Sequence, residues 1–95
     1  MIQTDIGKLS IRNLCRDEKT QGAPSVQVGN GCRVETLSIR DSGTVNRLSE
    51  PIEFFRNDGS IGRLTLENIR RESAPGAGEV FLLAGNGTVE HSEIR

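Results

Sequence analysis

Apolar residues along the chain recur in two short patterns, neither of them spaced like a helix. The first is an eight-residue segment with apolar residues at positions one, four and six. It appears as Ile6-Gly-Lys-Leu-Ser-Ile-Arg-Asn13, Val34-Glu-Thr-Leu-Ser-Ile-Arg-Asp41 and Ile61-Gly-Arg-Leu-Thr-Leu-Glu-Asn68, and in weaker form as Val89-Glu-His-Ser-Glu-Ile-Arg95. The first residues of these segments lie 28, 27 and 28 apart. The second pattern is an apolar-x-apolar triplet: Val26-Gln-Val28, Ile52-Glu-Phe54 and Val80-Phe-Leu82. Between the two sits a turn dipeptide, Asn30-Gly31, Asp58-Gly59 or Asn86-Gly87, spaced by 28 and 28. Three independent features share one period, so the chain reads as an internal repeat.

Each unit predicts short β segments. The step from position four to position six is strand alternation. The step from one to four is irregular and predicts a bend, with Glu35 and Thr36 at its corner. Asn-Gly and Asp-Gly supply the positive φ of a second tight corner. Longer loops are expected from Asn13 to Pro24, Asp41 to Glu50 and Asn68 to Gly78.

Asn-Gly between apolar runs is also a hairpin signal. A two-residue hairpin at Asp58-Gly59 sets Phe54 against Arg63, and one at Asn30-Gly31 sets Val28 against Arg33. Such pairs place charge opposite core residues. Stacking the repeats brings like onto like instead. The expected columns are Val26/Ile52/Val80, Val28/Phe54/Leu82, Ile6/Val34/Ile61/Val89, Leu9/Leu37/Leu64 and Ile11/Ile39/Leu66/Ile94. A polar, turn-like column, Asn13/Asp41/Asn68, runs outside them and has amides placed to hydrogen-bond along the stack. The expected architecture is all-β, a short solenoid of about three to four coils of roughly 28 residues in one domain, 1–95.

This pattern of apolar-x-apolar, Gly-Asn-Gly and apolar-x-x-Leu-x-Ile-x-Asn/Asp resembles the coils of right-handed parallel β-helix proteins, the pectin-lyase-like group. The resemblance covers nearly the whole chain, from about Ile6 to Arg95. It implies a right-handed parallel β-helix. The group includes polysaccharide lyases, glycoside hydrolases and phage tailspikes, but no catalytic motif of theirs is found here, and no catalytic residue is carried over.

Composition narrows the function. Twelve Lys and Arg against 13 Asp and Glu give a net charge of −1, which excludes a globally basic nucleic-acid binder or a polybasic membrane arm. No apolar run approaches the roughly 20 residues that span a bilayer. Three Phe with no Trp or Tyr leave few flat platforms for bases or sugar rings. Two cysteines, Cys15 and Cys32, and one histidine, His91, are too few for a zinc site. The cysteines read as small buried or half-buried thiols. Gly85-Asn86-Gly87 and Gly29-Asn30-Gly31 lack the following helix and Gly-Lys-Ser/Thr ending of a phosphate loop. No cofactor or metal is expected.

The candidate binding residues are Arg16, Arg47, Arg70 and Arg71, on the expected loop face with Lys19, Asp17, Glu18 and Glu72. They suit an anionic ligand such as an acidic glycan, or simply form a solvated mixed-charge rim. Glu35 and Glu90 occupy equivalent positions with Gly62 between them, and Asp41 lies near Glu67. Carboxylate pairs on neighbouring coils are the pattern for acid/base work or calcium. His91 falls in an outward column. Phe81 is apolar where water is expected, and with Phe55 and Leu83 it is placed to form a contact patch.

A solenoid this short needs capped ends, and no capping helix is predicted. Either another subunit covers the ends or the chain is a piece of a longer β-helix. The expected function is therefore a non-enzymatic structural or interaction module that self-associates, as a homo-oligomer, through its ends or a lateral face. The alternative is a fragment of a polysaccharide-active or tailspike-like protein.

Overall fold

The computed structural model describes residues 2–18 and 24–95. Every regular element among them is a β-strand: β1 (Ile6–Arg12), β2 (Cys15–Glu18), β3 (Val26–Val28), β4 (Arg33–Asn46), β5 (Ile52–Asn57), β6 (Ser60–Ser73), β7 (Val80–Ala84) and β8 (Thr88–Ile94). The chain is all-β, and every strand pairing is parallel. One sheet runs β1-β4-β6-β8, with β2 pairing the later half of β4, and the other runs β3-β5-β7. Ile2 adds a single parallel bridge to Val28.

The long-segment columns appear as expected. Val34 pairs Ile6 and Ile61, Leu37 pairs Leu9 and Leu64, and Ile39 pairs Ile11 and Leu66. The ladder skips Gly7, Glu35, Gly62 and Glu90, which is where the sequence predicts a bend. Asn13, Asp41 and Asn68 take φ of 58°, 52° and 52°, a left-handed corner that Asn and Asp tolerate best after glycine. The Asn68 amide donates to Asp41 Oδ1 at 3.0 Å, so this column is bonded along the stack.

Four expectations are corrected. The segments expected as loops after Asn13, Asp41 and Asn68 largely continue as strand, through Glu18, Asn46 and Ser73. They carry too few apolar residues to announce themselves, because the buried face of β4 is polar there: Ser42, Thr44 and Asn46. Asn46 is satisfied completely. Its amide donates to the carbonyls of Glu50 and Gly78 at 2.8 and 2.9 Å, and its Oδ1 accepts from the Leu48 N–H at 2.9 Å.

The triplet columns also shift. Val26 pairs Phe55 and Val28 pairs Asn57, not Ile52 and Phe54, whereas Ile52 does pair Val80. The turn between β3 and β4 is two residues longer than that between β5 and β6, and the strand preceding it moves in register by the same amount. Phe54 and Phe55 both point inward and are fully buried, so Phe55 is no part of an exposed patch, while Phe81 and Leu83 are exposed. Asn57 faces the core as well, its amide donating to the Thr88 carbonyl at 3.1 Å and its Oδ1 accepting from the Gly59 N–H at 3.0 Å.

The corner glycines differ in kind. Gly31 has φ of 81°, whereas Gly59 and Gly87 do not take positive φ. They are placed where backbones from neighbouring repeats nearly touch. The core consists of Val28, Val34, Leu37, Ile39, Ile52, Phe54, Phe55, Ile61, Leu64 and Leu66, flanked by Val26 and Val80.

Candidate functional site

The four arginines do not converge. Arg16 is on β2, Arg70 and Arg71 are on β6, and Arg47 follows β4. Cys15, Gly43 and Arg70 share one register column, and Arg16, Thr44 and Arg71 share the next. Arg16 and Arg70 line a groove of about 350 Å³, with Asp41 and Asn68 at its left-handed corner and Val45 and Glu72 further along. Gly43 also lines it, and a Cβ there would lie 2.7 Å from the Arg70 carbonyl oxygen on the neighbouring strand. Arg71 lines a separate hollow with Ser73, Glu79 and Val80.

Each of these cations already has a partner. Arg16 Nη1 donates to Ser25 Oγ at 3.1 Å. Arg47 Nε donates to Asp17 Oδ1 at 2.6 Å, which pushes the arginine pKa up. Arg70 Nε lies 3.8 Å from Glu72, and Arg71 Nη1 donates to the Val80 carbonyl at 3.4 Å. The groove alternates in charge and is not a cationic trough. Lys19 lies outside the described residues.

The carboxylate pair has a different occupant. Arg33 Nη2 donates to both Glu35 Oε2 and Glu90 Oε2, each at 3.1 Å. Gly62 lies between the two acids, and a Cβ there would come within 2.5 Å of the Glu35 carbonyl oxygen. The guanidinium holds the Glu35 carboxyl below its usual range. Two acids sharing one arginine form an ion-pair clasp across repeats. The sequence carries a signal for it, an arginine two residues before Glu35, that the spacing of the acids alone does not bring out. Asp41 and Glu67 likewise have other partners, Asn68 for the first and Arg40, at 3.2 Å, for the second. Among the described residues no group of three or more His, Cys, Asp and Glu is arranged to hold a metal ion. The two thiols are free, Cys15 exposed and Cys32 half-buried.

On the other sheet, a broad polar groove of about 700 Å³ runs past Gln27, Asn30, Arg56, Asp58 and Asn86. Asp58 anchors it. Arg56 Nε donates to its Oδ2 at 2.8 Å, and the Asn86 N–H donates to its Oδ1 at 3.3 Å. Arg56 first, then the Asn86 amide, lower its pKa. A depressed folded-state pKa contributes stability that is present above the unfolded value, about 4, and is lost as pH falls through the folded value. Denaturant midpoints should therefore hold level above about pH 5 and fall below about pH 4. Asp58→Asn should make that fall shallower, and an unchanged slope contradicts the assignment.

The remaining distinctive surfaces are the two ends of the stack. At one, β7 and β8 have no strand on their outer side among the described residues, with Leu83 41 % and Ile94 55 % exposed. Their register partners Phe55 and Leu66 are both fully buried, so these are core positions without a covering layer. At the other, Ile2, Leu9, Ile11, Leu14 and Val26 line an apolar cavity of about 490 Å³. This end surface had a sequence signal, the continuation of apolar columns into the first and last repeats. No family model matches the chain, and neither a curated protein nor a solved structure matches it closely enough to lend it a family or an activity.

Proposed function

We propose that this chain is a small right-handed parallel β-solenoid of three to four coils, acting as a non-enzymatic structural or interaction module that self-associates through its ends. The exposure of core-column residues on β7 and β8, where the same columns are sealed one repeat earlier, carries this reading. Apolar side chains flanked by unpaired strand edges gain both burial and hydrogen bonds when another layer covers them. The parallel registers, close to 28 residues throughout, support the winding. An acid/base reading of Glu35 and Glu90 finds both acids already committed to Arg33.

Sedimentation velocity on the 95-residue chain, over about a hundredfold range of concentration, tests the reading. Mass should rise with concentration. A single species of monomer mass throughout contradicts it.

A further inference from the structure

The turn between β3 and β4 differs from its two counterparts in what its backbone amide does. We infer that Asn30 is a site of spontaneous covalent modification. Its side-chain amide becomes a carboxylate through a cyclic imide formed with the Gly31 nitrogen, while the fold protects the equivalent Asn86.

The chain has six asparagines: Asn13, Asn30, Asn46, Asn57, Asn68 and Asn86. The reaction needs the backbone nitrogen of the following residue to reach the asparagine Cγ. A side chain on that residue hinders the approach, and a hydrogen bond from that nitrogen opposes it. Leu14, Arg47, Asp58 and Ile69 follow four of the six. Asn46 and Asn57 are also buried, with their amides donated to backbone carbonyls. Asn30 and Asn86 are each followed by glycine, and each sits in the same Gly-Asn-Gly sequence.

The fold separates these two. The Gly87 N–H donates to the Asn57 carbonyl at 2.8 Å, and the Asn86 N–H donates to Asp58 Oδ1 at 3.3 Å. A Cβ on Gly87 would run into the Gly59 carbonyl oxygen and the Asn57 side chain, so this peptide is clamped on the preceding repeat. The middle turn is tied likewise: the Gly59 N–H donates to Asn57 Oδ1, and Arg56 and the Asn86 N–H hold the Asp58 carboxylate.

Asn30 and Gly31 escape this clamp because their turn is the longer one. Val28 pairs Asn57 and Arg33 pairs Ser60, so four residues of this turn stand against two of the next. Neither the Asn30 side chain nor the Gly31 N–H has a partner among the described residues. Both residues are exposed, and beyond its chain neighbours nothing lies within 4 Å of a Cβ on Gly31. Gly31 has φ of 81° and, as glycine, crosses to negative φ at little cost. The Asn30–Gly31 peptide is therefore able to rotate without breaking a bond between repeats. The Cys32 N–H to Gly29 carbonyl bond, at 3.2 Å, closes the turn around it.

The only co-reactant is water. The Gly31 nitrogen bonds to Asn30 Cγ, the Cγ–Nδ2 bond breaks, and ammonia leaves carrying the Gly31 amide proton. Water then opens the five-membered imide, its hydroxyl going to a carbonyl carbon and its hydrogen to the Gly31 nitrogen. Cleavage at Cγ gives aspartate in the normal chain. Cleavage at the Asn30 main-chain carbonyl gives isoaspartate, with the backbone one atom longer. Nothing is oxidised or reduced. Either product adds one negative charge to a chain of net −1, and places a second carboxylate in the groove that holds Asp58 and Arg56.

The test is a time course of the folded chain in warm, mildly alkaline buffer. Samples are digested in acid and mapped by tandem mass spectrometry, with fragmentation that separates aspartate from isoaspartate. Position 30 should convert about tenfold or more faster than position 86, the factor expected when one site must first release a hydrogen bond. In guanidinium chloride the two Gly-Asn-Gly sites should convert at matching rates. Comparable rates in the folded chain, or position 86 converting first, overturn the assignment. So does a position 30 that stays intact in the folded chain and converts only in denaturant. A difference that persists undiminished in denaturant traces to the wider sequence and overturns the role given to the fold.

Discussion

Phe55→Ala should destabilise the fold by about 3–5 kcal/mol, the usual cost of emptying a buried aromatic site. Phe55 is fully buried among Phe54, Val26 and Leu83 neighbours of its own and adjoining columns. A domain of this size has roughly 5–14 kcal/mol in total, so the variant loses a large part of its margin. The matched control is Phe81→Ala. Phe81 is 46 % exposed and stands outside the stack opposite Glu53, so its loss should cost less than about 1 kcal/mol. Urea denaturation of both variants measures the difference directly. Equal costs would mean that the inward turn of Phe55 is wrong.

The second large effect comes from backbone proximity. A Cβ on Gly59 would lie 2.6 Å from the Gly29 carbonyl oxygen and closer still to that of Cys32. Both are rigid backbone atoms of the preceding repeat, so neither can swing aside. Gly59→Ala should therefore push two layers apart and cost about 3 kcal/mol or more. Gly7→Ala is the contrast. Nothing lies within 4 Å of a Cβ there and φ is not positive, so the change should be within about 1 kcal/mol of neutral. Thermal melts of the pair separate a packing constraint at Gly59 from a general loss of chain flexibility.

Phe55 also shows what the sequence conveys and what it does not. Alternation from Ile52 and Phe54 puts Phe55 outside, because period-two reasoning has no place for an added residue. The structure turns both phenylalanines inward, and the register against β3 moves with them. The long segments were easier to read. Val34, Leu37 and Ile39 meet close matches one repeat away, and Gly7 and Gly62 flag the bend. The later halves of β4 and β6 were not readable. On β4 the inward positions are Ser42, Thr44 and Asn46: the Asn46 amide bonds the carbonyls of Glu50 and Gly78, the second brought near only by folding, Ser42 bonds the nearby Arg40 carbonyl, and the Thr44 hydroxyl is buried without a partner among the described residues.

The candidate site divides in the same way. Arginine positions are plain in the sequence, but their partners are not, because Asp17 for Arg47 lies 30 residues away and Glu90 for Arg33 lies 57 away. A cation read alone suggests a ligand. A cation read with its carboxylate belongs to the framework.

Methyl NOE spectroscopy tests the stacked parallel winding most directly. Val34 pairs Ile61 and Ile39 pairs Leu66, and all four side chains are buried. The account predicts strong NOEs between Val34 and Ile61 and between Ile39 and Leu66. Cross-peaks joining Val34 to Leu66 and Ile39 to Ile61 instead would mean antiparallel ribbons, and would contradict it.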